Sequence, residues 1–151
     1  MNINNIIQTR KNFINLISDL DIDQLNQIPE GYNNNIIWNF GHIIVTQQLL
    51  CNKFSGLPLL IDEDILDAFR KGSKPEKKIS SEVLEKLKSM AIANLEALKE
   101  DLEKNKFSEY HPYTTSFGIR VNNISEAIAF DAMHEAMHLG YVMAQKRALL
   151  S

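Results

Sequence analysis

The sequence predicts an all-α protein in which residues 1–151 form one domain, a four-helix bundle with a long crossover between its second and third helices. Four segments place apolar residues at spacings of three and four, the period of an amphipathic helix. No segment sustains the alternation of a half-buried strand. The stretch over residues 54–78, which glycines and prolines interrupt, is too long for a tight turn and favours a connection to the far end of the bundle.

The first predicted helix runs from about Asn4 to Leu20. Its apolar residues form a single stripe, which only Arg10 interrupts. We expect the helix to end before Asp21, ahead of a turn that contains a proline and a glycine.

The second predicted helix runs from Ile36 to about Lys53, directly after asparagines 33–35, any of which can cap its N-terminus. It is apolar almost all round, which indicates the centre of the bundle. It contains Cys51, the single cysteine, so no intrachain disulfide can form; we expect a core residue in a reducing compartment. One stripe of this helix holds Trp38, His42, Val45 and Leu49.

The connection that follows contains a predicted short helix from Asp62 to Arg70. The third helix runs from about Ser80 to Lys104, with Ser80 or Ser81 as its cap. Four lysines surround a glycine and a proline in the connection, and we interpret them as a solvated loop rather than a phosphate site. These are Lys71, Lys74, Lys77 and Lys78.

A loop from Asn105 to Val121 leads to the fourth helix, which starts at Asn122 or Asn123 and runs to about Leu149. A glutamate follows Asn123 by three residues, a pattern that resembles a capping box with Asn in place of Ser. Three methionines at helical spacings are interpreted as core residues. These are Met133, Met137 and Met143.

Three of the four histidines fit one metal-binding pattern. The spacing of four between His134 and His138 puts both imidazoles on one face of a helix. His42 of the second helix can meet them across the bundle, and three imidazoles with open coordination positions are typical of reactive metal sites. The alternative, a core His42 bonded to a backbone carbonyl, stays open at this point.

The stripe that carries the histidine pair is unusually polar for a face that points to a core, which is typical of a helix that encloses a site. It includes Asp131, Tyr141 and Gln145. Asp131, one turn before His134, is expected to orient an imidazole or to coordinate the ion, with a partly exposed charge near the helix start as the alternative.

Other side chains are candidates for the walls of a pocket around the histidines. Trp38 and Tyr113 are expected to line it, and Tyr141 is a candidate for the pocket or for contacts to the ligands. His111, in the loop before Pro112, is a candidate for the pocket mouth.

Residues 134–138 read HEAMH, a literal match to the H-E-x-x-H motif of zinc proteases. Such proteases need a third ligand beyond the motif, and none of the 13 residues after His138 is His, Asp or Glu. Glu135 lies about 100° around the helix from His134. This position favours a partner on another helix, or solvent, over a role as general base.

Composition excludes several kinds of partner. The net charge of −3, from 16 basic and 19 acidic residues, argues against a nucleic-acid binder. No apolar run approaches the roughly 20 residues that a membrane span requires, and the N-terminus lacks the pattern of a secretory signal. We therefore expect a cytoplasmic protein that binds neither nucleic acid nor membrane.

Several runs together resemble the DinB-like superfamily. They are NNNIIWNFGHI at 33–43, Phe117-Gly118 with ISEA at 124–127, HEAMHLG at 134–140, and the glycine–proline pieces of the connection. The resemblance implies a four-helix bundle with an up-down-down-up course, and frequent homodimers. It also implies a divalent metal, such as zinc or nickel, held by His42, His134 and His138.

The resemblance also suggests an activity. Relatives include bacillithiol S-transferases and a mycothiol-dependent maleylpyruvate isomerase, in which a metal would lower the pKa of a bound thiol or water. This implies thiol S-transferase-like chemistry on small electrophiles, with a low-molecular-weight thiol as co-substrate. The alternatives are a metal-dependent hydrolase on the same site and a non-enzymatic, stress-associated metal-binding dimer.

Overall fold

A computed structural model describes residues 3–151, and these are mostly helical, which confirms the all-α class. Two short strands form an antiparallel hairpin before the last helix, with Tyr113 opposite Val121 and Thr114 opposite Arg120. The elements are α1 (Asn4–Ile17), α2 (Ile22–Asn26), α3 (Ile36–Gln47), α4 (Glu63–Phe69), α5 (Ser81–Glu103), β1 (Tyr113–Thr114), β2 (Arg120–Val121) and α6 (Ile124–Leu150).

The predicted N-terminal caps are confirmed at three of the long helices. The side chain of Asn35 accepts from the backbone of Trp38 at the start of α3. Ser80 caps α5 and Asn123 caps α6 in the same way, each by accepting from the amide three residues on. These bonds satisfy backbone donors that a helix start otherwise leaves without a partner.

The four long helices form a closed ring of contacts. α6 packs against α1 and α3, and α5 packs against the same two helices. All of α3 except Thr46 is buried, as its nearly uniform apolar sequence predicts. The up-down-down-up course and the crossover role of residues 54–78 stay predictions.

The boundaries differ from the prediction in three places. α1 ends at Ile17 rather than near Leu20, because Asp21 and Gln24 form a reciprocal capping box that starts α2. The loop before α6 contains the hairpin, whose strands of two residues are too short to show alternation. α3 continues through a wide π turn, Gln48–Asn52, and a tight turn, Lys53–Ser55.

The interpretation of the α6 methionines as core residues is wrong. Met133 and Met137 are each 45% exposed, and Met143 is 52% exposed. Polar residues, among them Asp131, His134 and Gln145, occupy much of the inward face of α6, and the three methionines lie outside it. No helix in residues 3–151 combines the length and the apolar character that crossing a membrane requires.

The residue that interrupts the apolar stripe of α1 is fully buried and holds three helices together. The Nε of Arg10 donates to both carboxylate oxygens of Glu135 on α6, and its Nη2 donates to Oε1 at 2.7 Å. Its Nη1 donates to the carbonyl of Ala91 on α5. Both side chains of the ion pair have no solvent exposure. The prediction that Glu135 has a partner on another helix is thus confirmed.

Replacing Arg10 by methionine should destabilise the fold strongly. The variant leaves the Glu135 carboxylate buried without its cation, which costs about 3–5 kcal/mol in comparable buried pairs. Urea unfolding measures the change in the free energy of unfolding. As a control, Lys104→Met removes an exposed pair with Glu100 and should leave the free energy of unfolding close to that of the wild type. Equal losses in the two variants would contradict the structural role of Arg10.

Candidate metal centre

The three imidazoles predicted to meet lie together where α6 packs on α3. Their ring centroids are 4.5 Å apart for His134 and His138, 4.9 Å for His42 and His138, and 5.3 Å for His42 and His134. One nitrogen from each ring lies within 4.8 Å of the other two. The arrangement predicted from the spacing of His134 and His138 and from His42 is therefore present.

A backbone carbonyl holds the His42 ring. The Nδ1 of His42 lies 2.8 Å from the carbonyl oxygen of Phe69. Because a carbonyl can only accept, Nδ1 carries the proton and Nε2 is left as an acceptor. The hydroxyl of Thr46, one turn along α3, lies 3.3 Å from this Nε2 and donates to it. The core-histidine alternative predicts a contact with a backbone carbonyl, and this contact is present. It involves Nδ1, however, and leaves Nε2 directed towards His134 and His138. This arrangement is typical of a metal ligand with its orienting partner.

Close packing at Gly41 brings that carbonyl into place. A Cβ on Gly41 would overlap the ring of Phe69, so only glycine lets the C-terminal end of α4 approach α3 this closely. The glycine next to His42 thus positions the group that orients the imidazole.

An amide holds the His138 ring in the same way. Its Nδ1 lies 2.8 Å from Oδ1 of Asn39. The Nδ2 of Asn39 faces three acceptors, namely Oδ1 of Asn34, the carbonyl of Asn35 and Oε1 of Gln145. These acceptors fix the orientation of the amide, so its oxygen accepts from the Nδ1 of His138 and the Nε2 of His138 carries no proton. The asparagines before α3 thus both cap this helix and fix the amide that orients His138.

The spacing of the α6 pair fits a shared ion. The Nε2 atoms of His134 and His138 are 3.2 Å apart. Two imidazole nitrogens at about 2.1 Å from a tetrahedral zinc lie about 3.4 Å from each other. The Nδ1 of His134 is buried and has no hydrogen-bond partner among residues 3–151. The chemistry of the three donors, all neutral nitrogen, suits zinc, nickel, copper or iron.

Burial keeps these imidazoles neutral. Burial, followed by the neighbouring His42, lowers the pKa of His134 to about 4. Burial, followed by His134 and His42, lowers the pKa of His138 to about 3. Burial also lowers the pKa of His42, against the effect of its bond to Phe69. Near neutral pH the nitrogens therefore keep the lone pairs that a metal requires.

Two buried carboxyls lie on the same helix as the histidine pair. Asp131 has no solvent exposure, so the alternative of a partly exposed charge is wrong. No imidazole donates to either of its oxygens. Its neighbour is the carboxylate of Glu135, to which a protonated Asp131 donates. Burial, and then the charge of Glu135, raise the pKa of Asp131 well above its usual range. Burial likewise raises the pKa of the Cys51 thiol, and that side chain is a core residue as predicted.

The histidines open onto a cavity of about 280 Å³. Tyr113, a predicted wall residue, lines it and stacks on Phe54 with ring centroids 4.7 Å apart. The exposed Lys53 and Lys71 lie at its edge, and the turns that continue α3 supply part of its wall. The remaining lining includes Thr46, Leu49, Leu50, Thr115, Ser116, Phe117, Phe130 and Met137.

Three predicted residues lie elsewhere. Trp38 stacks on His42, with centroids 4.6 Å apart and planes at 12°, and donates to Ser73. It faces a separate cavity of about 590 Å³ that holds no histidine. Tyr141 is 38% exposed and contacts Tyr32 edge-on. His111 is exposed and does not line the histidine cavity.

Sequence reasoning missed Asn39 and the carbonyl of Phe69, which hold the histidine rings, and named Gln145 only as a member of the polar stripe. Asn39 and Gln145 lie on the faces of α3 and α6 that carry His42 and His138, and their polarity on buried helix faces is a usable signal. Phe69 acts through its backbone oxygen, which no residue type reveals. Phe130 stacks on His134 with centroids 6.0 Å apart, one turn earlier on α6.

One comparison with known proteins relates the chain to a family. A family model described as the DinB superfamily matches residues 5–142. This match covers all three histidines and most of the chain. Among curated proteins, none matches the chain.

Acid should destabilise the metal-free protein through these imidazoles. Their pKa values are lowered on folding from an unfolded value of about 6.5. The unfolded chain therefore binds more protons below pH 6.5, and stability falls as the pH drops from 6.5 towards 4. Each histidine contributes up to about 1.4 kcal/mol per pH unit.

The measurement is the free energy of unfolding against pH in chelator, for the wild type and His138→Gln. We expect a shallower slope in the variant between pH 6.5 and 5. His111→Gln, which removes an exposed imidazole, should keep the wild-type slope. If His138→Gln kept that slope too, the burial argument would be wrong.

Proposed function

This chain belongs to the DinB superfamily, and we propose that it is a divalent-metal-dependent enzyme that adds a low-molecular-weight thiol to a small electrophile. His42, His134 and His138 would hold the ion, with zinc or nickel as the expected metals. The observation that carries the proposal is the convergence of three neutral imidazole nitrogens at the edge of a cavity sized for a small molecule.

The chain positions the ligand nitrogens in advance. Phe69 and Asn39 each accept from an Nδ1, so the Nε2 atoms of His42 and His138 face the same point. When bound, the ion would supply the Lewis-acid chemistry that lowers the pKa of a thiol or water. Phe130 and Leu49 give the cavity apolar walls, which exclude water and strengthen electrostatic interactions inside it.

The chain offers no thiol of its own at this cavity. Cys51 is its single cysteine; it is fully buried and does not line the cavity. Glu135 is held by Arg10 and cannot serve as a base for a reacting group at the cavity. Both facts favour a nucleophile that arrives with a co-substrate.

Charge at the cavity edge indicates the substrate class. Lys53 and Lys71 are cations at the edge, and the hydroxyls of Thr115 and Ser116 add hydrogen-bonding groups. Among residues 3–151, no acidic side chain lines this cavity. We therefore expect the thiol or the electrophile to carry a carboxylate.

A turnover screen with metal-loaded protein tests the proposal. Small electrophiles are offered with and without a low-molecular-weight thiol, and loss of the electrophile and of free thiol are both measured. Thiol-dependent turnover supports the S-transferase. Turnover without thiol would identify the hydrolase alternative instead, because hydrolysis needs only water. No turnover, with tight metal binding retained, would favour the non-enzymatic alternative.

Metal affinity should depend on the orienting amide as well as on the ligands. His134→Ala should abolish binding of Zn²⁺ and Ni²⁺ together with any activity. Asn39→Leu should weaken binding about 10–100-fold, because the His138 ring loses the group that fixes its tautomer. Isothermal titration calorimetry measures the metal affinity of both variants. His111→Ala is the control and should bind the metal as tightly as the wild type. Retention of stoichiometric metal by His134→Ala would refute the site.

The edge lysines should act on substrate binding alone. Lys53→Gln and Lys71→Gln should each raise the KM for a carboxylate-bearing substrate about tenfold and leave kcat within about twofold. Lys104→Gln, at an exposed position directly after α5, should change neither constant. Added salt should raise the wild-type KM in the same direction, since it screens the lysines. An unchanged KM in both edge variants would remove the argument for an anionic substrate.

A further inference from the structure

Four aromatic side chains line the histidine cavity and form two contacting pairs. Phe54, in the turn after α3, and Tyr113 of β1 stack with their ring planes at 22°. Phe117, in the turn between β1 and β2, lies edge-on to Phe130 of α6, with ring centroids 5.8 Å apart. The four residues, called the aromatic wall below, come from three separate segments, so the fold rather than the local sequence assembles them.

The β1–β2 hairpin holds both pairs in place. The backbone N–H of Thr115 donates to the carbonyl of Ile119, and the backbone N–H of Ile119 donates to Oγ1 of Thr115. These bonds close the turn that carries Phe117, and Gly118 supplies the positive φ in it. The hairpin therefore reaches the segment after α3 through Tyr113 and reaches α6 through Phe117.

Phe117 is an unusual residue for the tip of a hairpin. Turns are usually built from small and polar residues, as the neighbouring Ser116 and Gly118 are. Phe117 is 49% exposed in the described chain, whereas its partner Phe130 is 8% exposed. Because Phe117 also lines the cavity, a ligand there would cover apolar area that is now in water, which favours binding.

The aromatic contacts continue inwards to a predicted metal ligand. The ring of Phe130 lies nearly parallel to the imidazole of His134, at 24° and with centroids 6.0 Å apart. Ring contacts thus run from Phe117 through Phe130 to His134. A planar group packed on this wall would lie beside the histidines, where the proposed reaction takes place.

The size and charge of the cavity limit what such a ligand can be. A volume of about 280 Å³ lies just below the range of about 300–1,000 Å³ that is typical of sites for drug-sized molecules. It suits one ring with a short arm rather than a fused ring system. Lys53 and Lys71 at the cavity edge favour a carboxylate on that arm.

We propose that the aromatic wall binds a single aromatic ring, so that the electrophile of this site is an aryl compound with a short, carboxylate-bearing arm. Phe117 is the residue that determines this specificity. Aromatic rings prefer offset or edge-to-face contacts with one another, and the exposed ring of Phe117 provides such a contact. The identity of the electrophile rests on the proposed function, but recognition of the ring does not require turnover.

Two unreactive carboxylates test the proposal, namely phenylacetate and cyclohexylacetate. They share the carboxylate and the length of the arm, and they differ in the ring. Isothermal titration calorimetry on the full-length chain measures both dissociation constants, with zinc loaded and in chelator. A merely apolar wall would bind cyclohexylacetate at least as tightly, because the saturated ring has the larger apolar surface. We expect phenylacetate to bind about fivefold more tightly, with and without zinc, because no member of the aromatic wall is a predicted ligand of the ion.

Variants at the hairpin tip locate the preference. Phe117→Leu keeps an apolar side chain and should weaken phenylacetate binding about fivefold. It should change the affinity for cyclohexylacetate by less than about twofold, and Phe117→Tyr should keep the wild-type preference. Tyr141→Leu is the matched control, since Tyr141 is also partly exposed and edge-on to another ring but lies outside the cavity. It should leave both affinities unchanged.

The results separate this inference from the proposed function. A preference for phenylacetate that Phe117→Leu removes would support the aromatic wall even if no electrophile is turned over. Equal or tighter binding of cyclohexylacetate, no binding of either carboxylate, or a preference that Phe117→Leu leaves intact would overturn the proposal. Thiol-dependent turnover could still be present in that case, and the proposed function would then stand without it.

Discussion

The site depends on the buried ion pair between Arg10 and Glu135. Glu135 lies between the two histidines of α6, and successive side chains of a helix point about 100° apart. Holding Glu135 against α1 therefore turns His134 and His138 towards α3, where His42 lies. A pair with no solvent exposure contributes little net stability over an apolar replacement, but a rotated α6 would leave both charges buried without partners. The ion pair thus specifies one rotation of the helix.

The polarity of α6 follows from the same constraint. The inward face of α6 carries Glu135, the two imidazoles and the amide of Gln145 beside a few buried apolar residues, and the methionines of the helix are left exposed. Buried polar groups need partners, and the asparagines at the start of α3 supply them through Asn39. One hydrogen-bond network therefore orients the histidines, caps α3 and connects α3 to α6. A polar interior of this kind is costly unless a ligand uses it.

Local signals predict the four long helices and the short α4, the caps at Asn35, Ser80 and Asn123, and the meeting of the three histidines, but not the short α2. These depend on periodicity, on side chains close in sequence, and on a spacing of four on one helix. The features that the sequence did not reveal depend on contacts between distant segments. Arg10 reads as an interruption of a stripe until Glu135 is seen opposite it, and the carbonyl of Phe69 has no signature in sequence. The spacing of the α6 methionines favours a core stripe, but polar side chains of the site occupy the inward face and leave the methionines exposed. The indole of Trp38 stacks on the imidazole of His42 and does not face the histidine cavity.

The most direct test of a metal site shared by α3 and α6 is the metal content of untagged protein, measured by elemental mass spectrometry for the wild type and His42→Ala. His42 is the ligand from α3, so its loss separates a cross-helix site from one that the α6 pair forms alone. The account predicts about one equivalent of a transition metal in the wild type, its loss in His42→Ala, and its retention in His111→Ala. An equal metal content in the wild type and His42→Ala, or none in either after incubation with zinc or nickel, would contradict it.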